Sequence, residues 1–414
     1  MIDKNSPHSN SMEAGHKVAR LLLVVLCSAG VAQAWDADLD GRFSYDGRMA
    51  FYLHPGDSSL TAAAIQPDGK IVVVGTSDNG TNDDFAIARI SATGQLDTTF
   101  STDGIAFFDS GWGNDQAGDV VIQPDGKIVV VGVAQVDMMK MMTIVRYNPD
   151  GTVDGYASVA FGGDSYGHGV ALQPDGKIVV CGKAYFPNTS ADFALARFNP
   201  DLTMDTSFGY QGRASWDFGD EEYDCAYEVA VRNDGKIVIA GTATWYGDAV
   251  FGLMVYREAG TPMHLGVAQF TADAYGYGLA LQPDGKAVVS GRCSTHGGDF
   301  AVARFTTSGL LDSTFSGDGK ATFSHSASAA ESAMDVAIQV DGKIVLAGYL
   351  FEGVERQLAV LRYRSNGDLD MNFNSAPLHA YTYSDFFSNM HSHATGVAIK
   401  PDGTIVTVGY TEHS

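Results

Sequence analysis

The chain of 414 residues is long enough for two or three ordinary domains or for one large repeat architecture. It has 26 Lys and Arg against 49 Asp and Glu, and this net charge of −23 excludes a nucleic-acid-binding surface and disfavours anionic lipid. The composition, 45% hydrophobic and 18% charged, is that of a globular protein, and the 48 glycines recur between apolar runs as tight turns require.

The first 34 residues have the pattern of a secretory signal peptide. Lys17 and Arg20 supply positive charge before an apolar run that begins at Leu21 and is too short to span a bilayer. Residues 32–34, Ala-Gln-Ala, form a small-x-small cleavage site. We therefore expect a signal peptide over residues 1–34, a mature domain over 35–414, and a secreted or cell-surface location without membrane insertion.

Three cysteines remain in the expected mature chain: Cys181, Cys225 and Cys293. An odd number leaves at least one thiol free, so the chain has no disulfide framework, and the spacing matches no zinc site. Buried or free thiols are favoured, while the sequence leaves open whether any two of them pair.

One phrase recurs through the expected mature domain, and its fullest copy is Val120–Gly132 (VVIQPDGKIVVVG). Proline presets φ at the first turn position, Asp suits the next position and Gly takes a positive φ, so the phrase predicts a β-hairpin. The flanking runs are rich in strand-forming Val and Ile. Seven copies are centred on the aspartates Asp68, Asp125, Asp175, Asp234, Asp284, Asp341 and Asp402.

Each hairpin is followed by two further strand signals. The first is an alternating segment such as Asp84–Arg89 (DFAIAR), and the second is a short apolar run such as Gly104–Phe108 after a Leu-Asp-x-x-Phe turn. Four short antiparallel strands in 50 to 60 residues make one propeller blade, whereas solenoid coils are shorter and sandwich domains are longer. The fold class is therefore predicted to be all-β, a seven-bladed β-propeller with four-stranded antiparallel blades.

The two ends of the chain complement one another. Residues 39–53 match the last part of a repeat, while the last copy, residues 396–409, contains only the hairpin. We expect the N-terminal strand to close an incomplete last blade and so to tie the ring shut.

The combined pattern, QPDGKIVVVG, DFALAR and LDxxF, resembles the delta-60 repeat family of extracellular bacterial proteins, and the resemblance covers essentially the whole mature chain. It implies a β-propeller and an extracellular location. It implies no activity, because the family has no catalytic motif to carry over.

The predicted loops divide the disc into two faces. If strands are lettered a to d from the centre outward, the a–b and c–d turns share a uniform face, and the b–c and d–a loops share a variable face that is free to carry a site. Aromatic side chains in the variable loops would suit sugar stacking or a protein partner, and would otherwise fill gaps between blades. The candidate ligand-binding residues are Trp112, Tyr166, Tyr185, Tyr223, Trp245, Tyr246, Tyr275 and Phe386.

Acidic residues recur eight or nine positions before the Gln position of the a–b turn. Placed as a ring at the channel mouth they would form a calcium site, since hard cations need several oxygens, and otherwise each would cap its own d–a turn. The capping alternative is favoured. The candidate metal ligands are Asp115, Asp164, Asp224, Asp273 and Glu331.

No nucleophile elbow, phosphate loop or HExxH motif is present, and no catalytic residue is identified. We therefore favour a secreted, monomeric, non-enzymatic scaffold that binds a protein or a glycan through its variable face. Two alternatives stay open: a polysaccharide lyase or hydrolase with its site at the channel mouth, and an architectural segment of a larger surface protein.

Overall fold

The structure of the protein, a computed structural model, describes residues 20–26, 39–53, 57–186, 190–219, 222–295, 298–325, 330–352, 355–373, 380–384 and 390–413. These residues form 28 β-strands, beginning with β1 (Arg20–Leu26) and β2 (Arg48–Phe51). No helix within these ranges has the length and apolar character needed to cross a membrane.

Six blades then follow one another along the chain, each a sheet of four consecutive antiparallel strands. From the inside outward, blade 1 contains β3 (Ser58–Ile65), β4 (Ile71–Asp78), β5 (Asp83–Ile90) and β6 (Ile105–Phe108), and blade 2 contains β7 (Gln116–Ile122), β8 (Ile128–Val136), β9 (Met139–Tyr147) and β10 (Val153–Val159). Blade 3 contains β11 (Ser165–Leu172), β12 (Ile178–Tyr185), β13 (Ala191–Phe198) and β14 (Arg213–Trp216), and blade 4 contains β15 (Cys225–Val231), β16 (Ile237–Trp245), β17 (Asp248–Tyr256) and β18 (Pro262–Ala268). Blade 5 contains β19 (Ala274–Leu281), β20 (Ala287–Cys293), β21 (Asp299–Phe305) and β22 (Lys320–Phe323), and blade 6 contains β23 (Ser332–Ile338), β24 (Ile344–Glu352), β25 (Glu355–Tyr363) and β26 (Tyr381–Ser384).

The final hairpin, β27 (Met390–Ile399) and β28 (Ile405–His413), forms a composite sheet with β1 and β2 in the order β27, β28, β1, β2. The predicted seven-bladed propeller with an incomplete last blade is therefore wrong. In the described part of the chain, six blades are complete within one continuous segment, and the seventh hairpin builds no blade of its own. Its sheet takes two N-terminal strands rather than one, and β1 comes from the predicted signal peptide.

The predicted a–b turns are present. In blade 1 the Gln66 N–H donates to the Lys70 carbonyl at 2.8 Å, and Gly69 has a φ of +84°. The Asp68 side chain accepts the Lys70 N–H at 3.1 Å, as an Asx-type turn requires. The glycine therefore supplies the positive φ, and the aspartate holds the loop closed.

Every a–b strand pair contains a β-bulge that shifts its register by one residue. The glycine that ends each hairpin phrase faces this bulge; in blade 3, a Cβ on Gly182 would lie 1.8 Å from the Tyr166 carbonyl oxygen. Only a residue without a side chain fits there, and the bulge turns one extra residue toward the centre of the ring. The extra residues are Thr61, Gly118, His168, Tyr227, Tyr277, Met334 and Thr395.

The sheets pack face to face around the ring, and each hydrophobic cluster combines residues of two neighbouring sheets. Val131 of blade 2 packs in one cluster with Val180 of blade 3. The composite sheet closes the circle, because Val406 packs with Val73 of blade 1 and Ile405 with Val345 of blade 6. Cys181, Cys225 and Cys293 are free thiols buried in these layers.

Arginines of the third strands pair with an aspartate of their own blade and hydrogen-bond to the backbone of the next blade near the uniform face. In blade 5, Arg304 Nε lies 2.8 Å from Asp312 Oδ2, and its Nη1 donates to the Ser365 carbonyl of blade 6. The same arrangement recurs at Arg89, Arg146 and Arg197, whereas blade 4 has Val255 at this position. The recurring third-strand arginine is thus engaged in holding blades together.

Candidate functional site

A cavity of about 700 Å³ lies at the centre of the ring. It is lined by all seven innermost strands and includes all seven bulge residues: Thr61, Gly118, His168, Tyr227, Tyr277, Met334 and Thr395. The bulges therefore determine which side chains face the channel.

The upper part of the channel, nearest the variable face, carries tyrosine–cation pairs. Tyr166 lies opposite Lys183 in the register of β11 and β12, and Tyr275 lies opposite Arg292 in that of β19 and β20. The Arg292 guanidinium carbon is 4.7 Å from the centre of the Tyr275 ring. Both pairs stand one step before the bulge, toward the variable face, and Arg292 lines the cavity there; we call this end of the channel the mouth.

Lys183 is surrounded by aromatic rings. Its ammonium nitrogen lies 4.7 Å from the ring centre of Tyr166 and 4.9 Å from that of Tyr223, and 2.6 Å from the Tyr223 hydroxyl oxygen. Tyr185 is at 6.0 Å. Burial lowers the pKa of Lys183, while a nearby thiol at Cys225 opposes the shift. The three rings offer flat apolar faces and the ammonium group offers a positive charge, a combination that suits a flat, polar ligand.

A second group of cations and rings lies across the channel. Arg356 is 5.1 Å from the centre of the Tyr349 ring, and its Nη1 is 3.7 Å from the Glu412 carboxylate. Glu412 also lies 3.3 Å from His393 Nε2, and the His393 ring stacks on Tyr410 at 5.0 Å. Burial lowers the pKa of His393, with the neighbouring Glu412 opposing that shift.

Three carboxylates form the lower tier of the cavity: Asp119, Glu228 and Asp335, from alternate blades 2, 4 and 6. Asp119 accepts the Val170 N–H of blade 3 at 2.9 Å, and Asp335 accepts the Val397 N–H of the composite sheet at 2.7 Å. Each of these two carboxylates therefore joins its blade to the next one around the ring.

The environment of these carboxylates favours their protonated form. Burial raises the pKa of Asp119 to about 7, with repulsion from Asp335 adding to the shift, and burial raises that of Asp335 to about 6. Burial, together with the charges of Asp119 and Asp335, raises the pKa of Glu228 well above its ordinary value. At neutral pH the channel therefore holds carboxyl groups that can exchange protons.

His168 stands between the two tiers. Its ring lies 5.2 Å from that of Tyr227, and its buried Nε2 has no hydrogen-bond partner among the described residues. Burial, with a contribution from Lys183, lowers the pKa of His168 to about 3, so the imidazole is neutral at physiological pH.

The predicted aromatic residues divide into two groups. Tyr166, Tyr185 and Tyr223 surround Lys183, and Tyr275 stacks under Arg292, which lines the cavity; the four tyrosines lie beside the mouth and are not among the described residues that line the cavity. The remaining four lie elsewhere: Trp112 is 59% and Tyr246 84% exposed, Trp245 packs against the core between blades 3 and 4, and Phe386 lies outside the described residues.

The predicted metal ligands are each engaged with backbone N–H groups. Asp115 accepts the N–H groups of Ser110 and Gln135, Asp224 those of Phe218 and Thr244, Glu331 that of His325, Asp164 that of Lys140, and Asp273 that of Ala249. Among the described residues, one group of three acids brings its oxygens within 4.8 Å, at Asp84, Asp109 and Asp115, and it contains one of the five. The calcium site stays a prediction.

The lower tier escaped the sequence reasoning. Asp119, Glu228 and Asp335 each stand four residues before the first residue of an a–b turn, inside an otherwise apolar strand. An acid at that position in alternate repeats is an available signal. The signal does not place these side chains in the channel, because the bulge that directs them there is not recognisable in the sequence of the a strand itself.

A family model described as a domain of unknown function (DUF5122) beta-propeller matches residues 66–100, 123–155, 173–208, 232–254, 282–315 and 339–373. The six matched segments correspond to the six continuous blades. The chain therefore carries the repeats of a β-propeller family. Comparison with curated proteins finds no match to its sequence.

Similar solved structures include proteins of different kinds. An ulvan lyase, a polysaccharide lyase solved bound to a GlcA-containing saccharide, has a TM-score of 0.50 and 10% identity over 83% of this chain and 90% of its own. Sqt1 of Chaetomium thermophilum, bound to the N-terminus of ribosomal protein L10, has a TM-score of 0.45 and 12% identity over 86% and 96%. A gluconolactonase of Xanthomonas campestris has 0.40 and 12% over 81% and 95%. At these identities the likeness shows the fold alone.

Proposed function

We propose that the protein is a secreted binding module that takes a glycan at the variable-face mouth of its central channel. The observation that carries this proposal is the set of half-buried tyrosines from several blades at one open cavity of about 700 Å³. Tyrosine offers a flat apolar face for the C–H surface of a sugar ring, and its hydroxyl offers a hydrogen bond.

The uniform face supports the proposal by contrast. Its turns are occupied by Asx-type hydrogen bonds and by Lys–Asp pairs that repeat from blade to blade, such as Lys286 with Asp312 at 3.0 Å. The variable face differs in every blade, so a site for one particular ligand belongs there. We also assign the repeats to the delta-60 type, which fits an extracellular glycan as the ligand.

A glycan array followed by calorimetric titration tests the proposal. We expect binding of at least one oligosaccharide class, and Tyr349→Ala should weaken it about tenfold or more, because a half-buried ring that lines the cavity is removed. Tyr246→Ala is the matched control, since this tyrosine is 84% exposed and does not line the channel.

Absence of binding to every glycan class, or a loss in Tyr246→Ala without one in Tyr349→Ala, would overturn the proposal. The hypotheses of a protein partner and of an architectural role would then remain.

A second candidate, a polysaccharide lyase or hydrolase, is favoured by one specific observation. Asp119 and Asp335, with pKa values of about 7 and 6, share the cavity with neutral His168 and with Tyr227. Such groups can act as general acid and base near neutral pH.

Incubation with acidic and neutral polysaccharides distinguishes the two functions. New reducing ends indicate hydrolysis, and ultraviolet absorbance of unsaturated uronate indicates elimination. If either signal appears and is lost in His168→Ala, the protein is an enzyme; a binding module gives neither.

A further inference from the structure

Lys183 and Lys140 are unusual among the lysines of this acidic protein. Of the ten lysines in the described ranges, seven form ion pairs with Asp, namely Lys70, Lys127, Lys177, Lys236, Lys286, Lys320 and Lys343. The other three are Lys140, Lys183 and Lys400, for which the described residues provide no carboxylate within 4.0 Å. Two of these three lie over the same aromatic ring, that of Tyr166, at 5.4 and 4.7 Å.

The arrangement is costly unless an anion completes it. Lys183 is half-buried between blades 3 and 4. Burial lowers its pKa, and the positive charge of Lys140 lowers it further. Asp164, the carboxylate whose charge acts on Tyr166 and Tyr185, has one oxygen engaged by the Lys140 backbone N–H at 3.0 Å. The chain has 49 acidic residues, yet these two lysines lie together without a carboxylate of the described residues at ion-pairing distance. This arrangement indicates a binding position for an anionic group of a ligand.

We propose that Lys183, with Lys140 and the hydroxyl of Tyr223, forms a subsite for the anionic substituent of a saccharide, a carboxylate or a sulfate ester. This inference rests on the proposed glycan-binding function and names its substrate class. The rings of Tyr166 and Tyr185 receive the sugar face, while the Lys183 ammonium donates to the anionic oxygens. The positive charge of Lys183, on the blade 3 side of the mouth, therefore makes the protein bind acidic saccharides more tightly than neutral ones.

The test is calorimetric titration with three probes: an oligogalacturonate, the same oligomer after reduction of its carboxyl groups to neutral galactose units, and a sulfated galactan oligomer. The wild type should bind at least one acidic probe at least tenfold more tightly than the neutral probe. Lys183→Met keeps the aliphatic stem and removes the charge; it should lose about tenfold in affinity for that acidic probe, and no affinity for the neutral one. The two acidic probes separate carboxylate from sulfate as the preferred group.

Lys177→Met is the matched control, because Lys177 lies in the same blade but on the uniform face, paired with Asp175 at 3.1 Å. It should bind like the wild type, and melting temperatures verify that both variants fold. Equal affinity of the wild type for acidic and neutral probes, or unchanged acidic binding in Lys183→Met, would overturn the anionic subsite and leave glycan binding intact. If the wild type binds none of the three probes or any arrayed glycan, both proposals fail.

Discussion

At the scale of single residues, the channel combines two opposite charge environments within one cavity. At the mouth, arginine side chains lie over tyrosine rings. On the other side of the β-bulges, farther from the variable face, lie carboxyl groups with raised pKa values. The carboxylates accept backbone N–H groups of the neighbouring blade, so they serve the ring as well as the cavity. Charge at this level therefore links stability to pH.

Asp119→Asn tests this link. The folded pKa of about 7 exceeds the ordinary value of 3.8, so between these values the folded state holds a proton that the unfolded chain has lost. This contribution to stability is complete below about pH 4 and is lost as the pH rises through 7. From pH 5 to 8, the free energy of unfolding of the wild type should therefore fall relative to the variant, by about 2 kcal/mol.

Urea unfolding at several pH values measures the difference, in which the opposite contribution of His168 cancels. Asp103→Asn, an exposed turn residue, is the control and should follow the wild type. A constant difference between Asp119→Asn and the wild type across this range would contradict the assignment.

The Arg–Asp ion pairs of the third strands make a second residue-scale prediction. Although burial opposes it, hydrogen bonds from Thr314 and Lys286 and the charge of Arg304 hold the pKa of Asp312 well below its usual range. Arg304→Met removes the buried guanidinium that pairs with Asp312 and donates to the Ser365 carbonyl of blade 6, and it should cost about 3 kcal/mol in the free energy of unfolding, while Lys286 stays paired with Asp312. Arg146→Met, at the more exposed pair with Asp154, should cost less. Denaturant titration compares the two, and equal losses would contradict the dependence on burial.

At the scale of strands, the glycine that ends each hairpin phrase sets the shape of the channel. Because a Cβ on Gly182 would lie 1.8 Å from a carbonyl oxygen of the paired strand, Gly182→Ala should lower the free energy of unfolding by about 3 kcal/mol or more. Gly155→Ala, on outer strand β10 with its nearest atom 3.4 Å away, should change it by less than about 1 kcal/mol. Thermal unfolding provides the comparison, and a tolerated Gly182→Ala would refute the role of the bulge.

The hairpins could be predicted because Pro-Asp-Gly turns and alternating strands are local signals. The tyrosines beside the mouth could be proposed because their segments vary between repeats, although the structure places Tyr166, Tyr185 and Tyr275 in strands, and Trp112 and Tyr246 satisfied the same criterion and lie elsewhere. The three channel carboxylates could not be placed, since a bulge changes which face a residue occupies and depends on pairing between strands. The pairing of β1 with β28 could not be predicted either, because the apolar run from Leu21 also fits a signal peptide.

At the scale of the whole molecule, the strand content of the composite sheet depends on whether the expected signal peptide is cleaved. Cleavage after Ala34 would remove β1, which pairs with both β28 and β2. From the charged segment, apolar run and small-x-small site we expect the exported protein to begin at Trp35. Intact-mass analysis of the secreted protein checks this; a mass that retains residues 20–26 would instead make β1 a permanent strand of the ring.

The molecule as a whole is thus a ring of six continuous blades and a composite sheet, with a uniform face and a variable face at opposite ends of one channel. Our central claim is that a glycan binds at the variable-face mouth. The most direct measurement is a crystal structure of the protein with the oligosaccharide selected on the array. We predict a sugar ring stacked on tyrosines at the mouth, close to Lys183. An oligosaccharide seated on the uniform face, or on the outer edges of the blades, would contradict the claim.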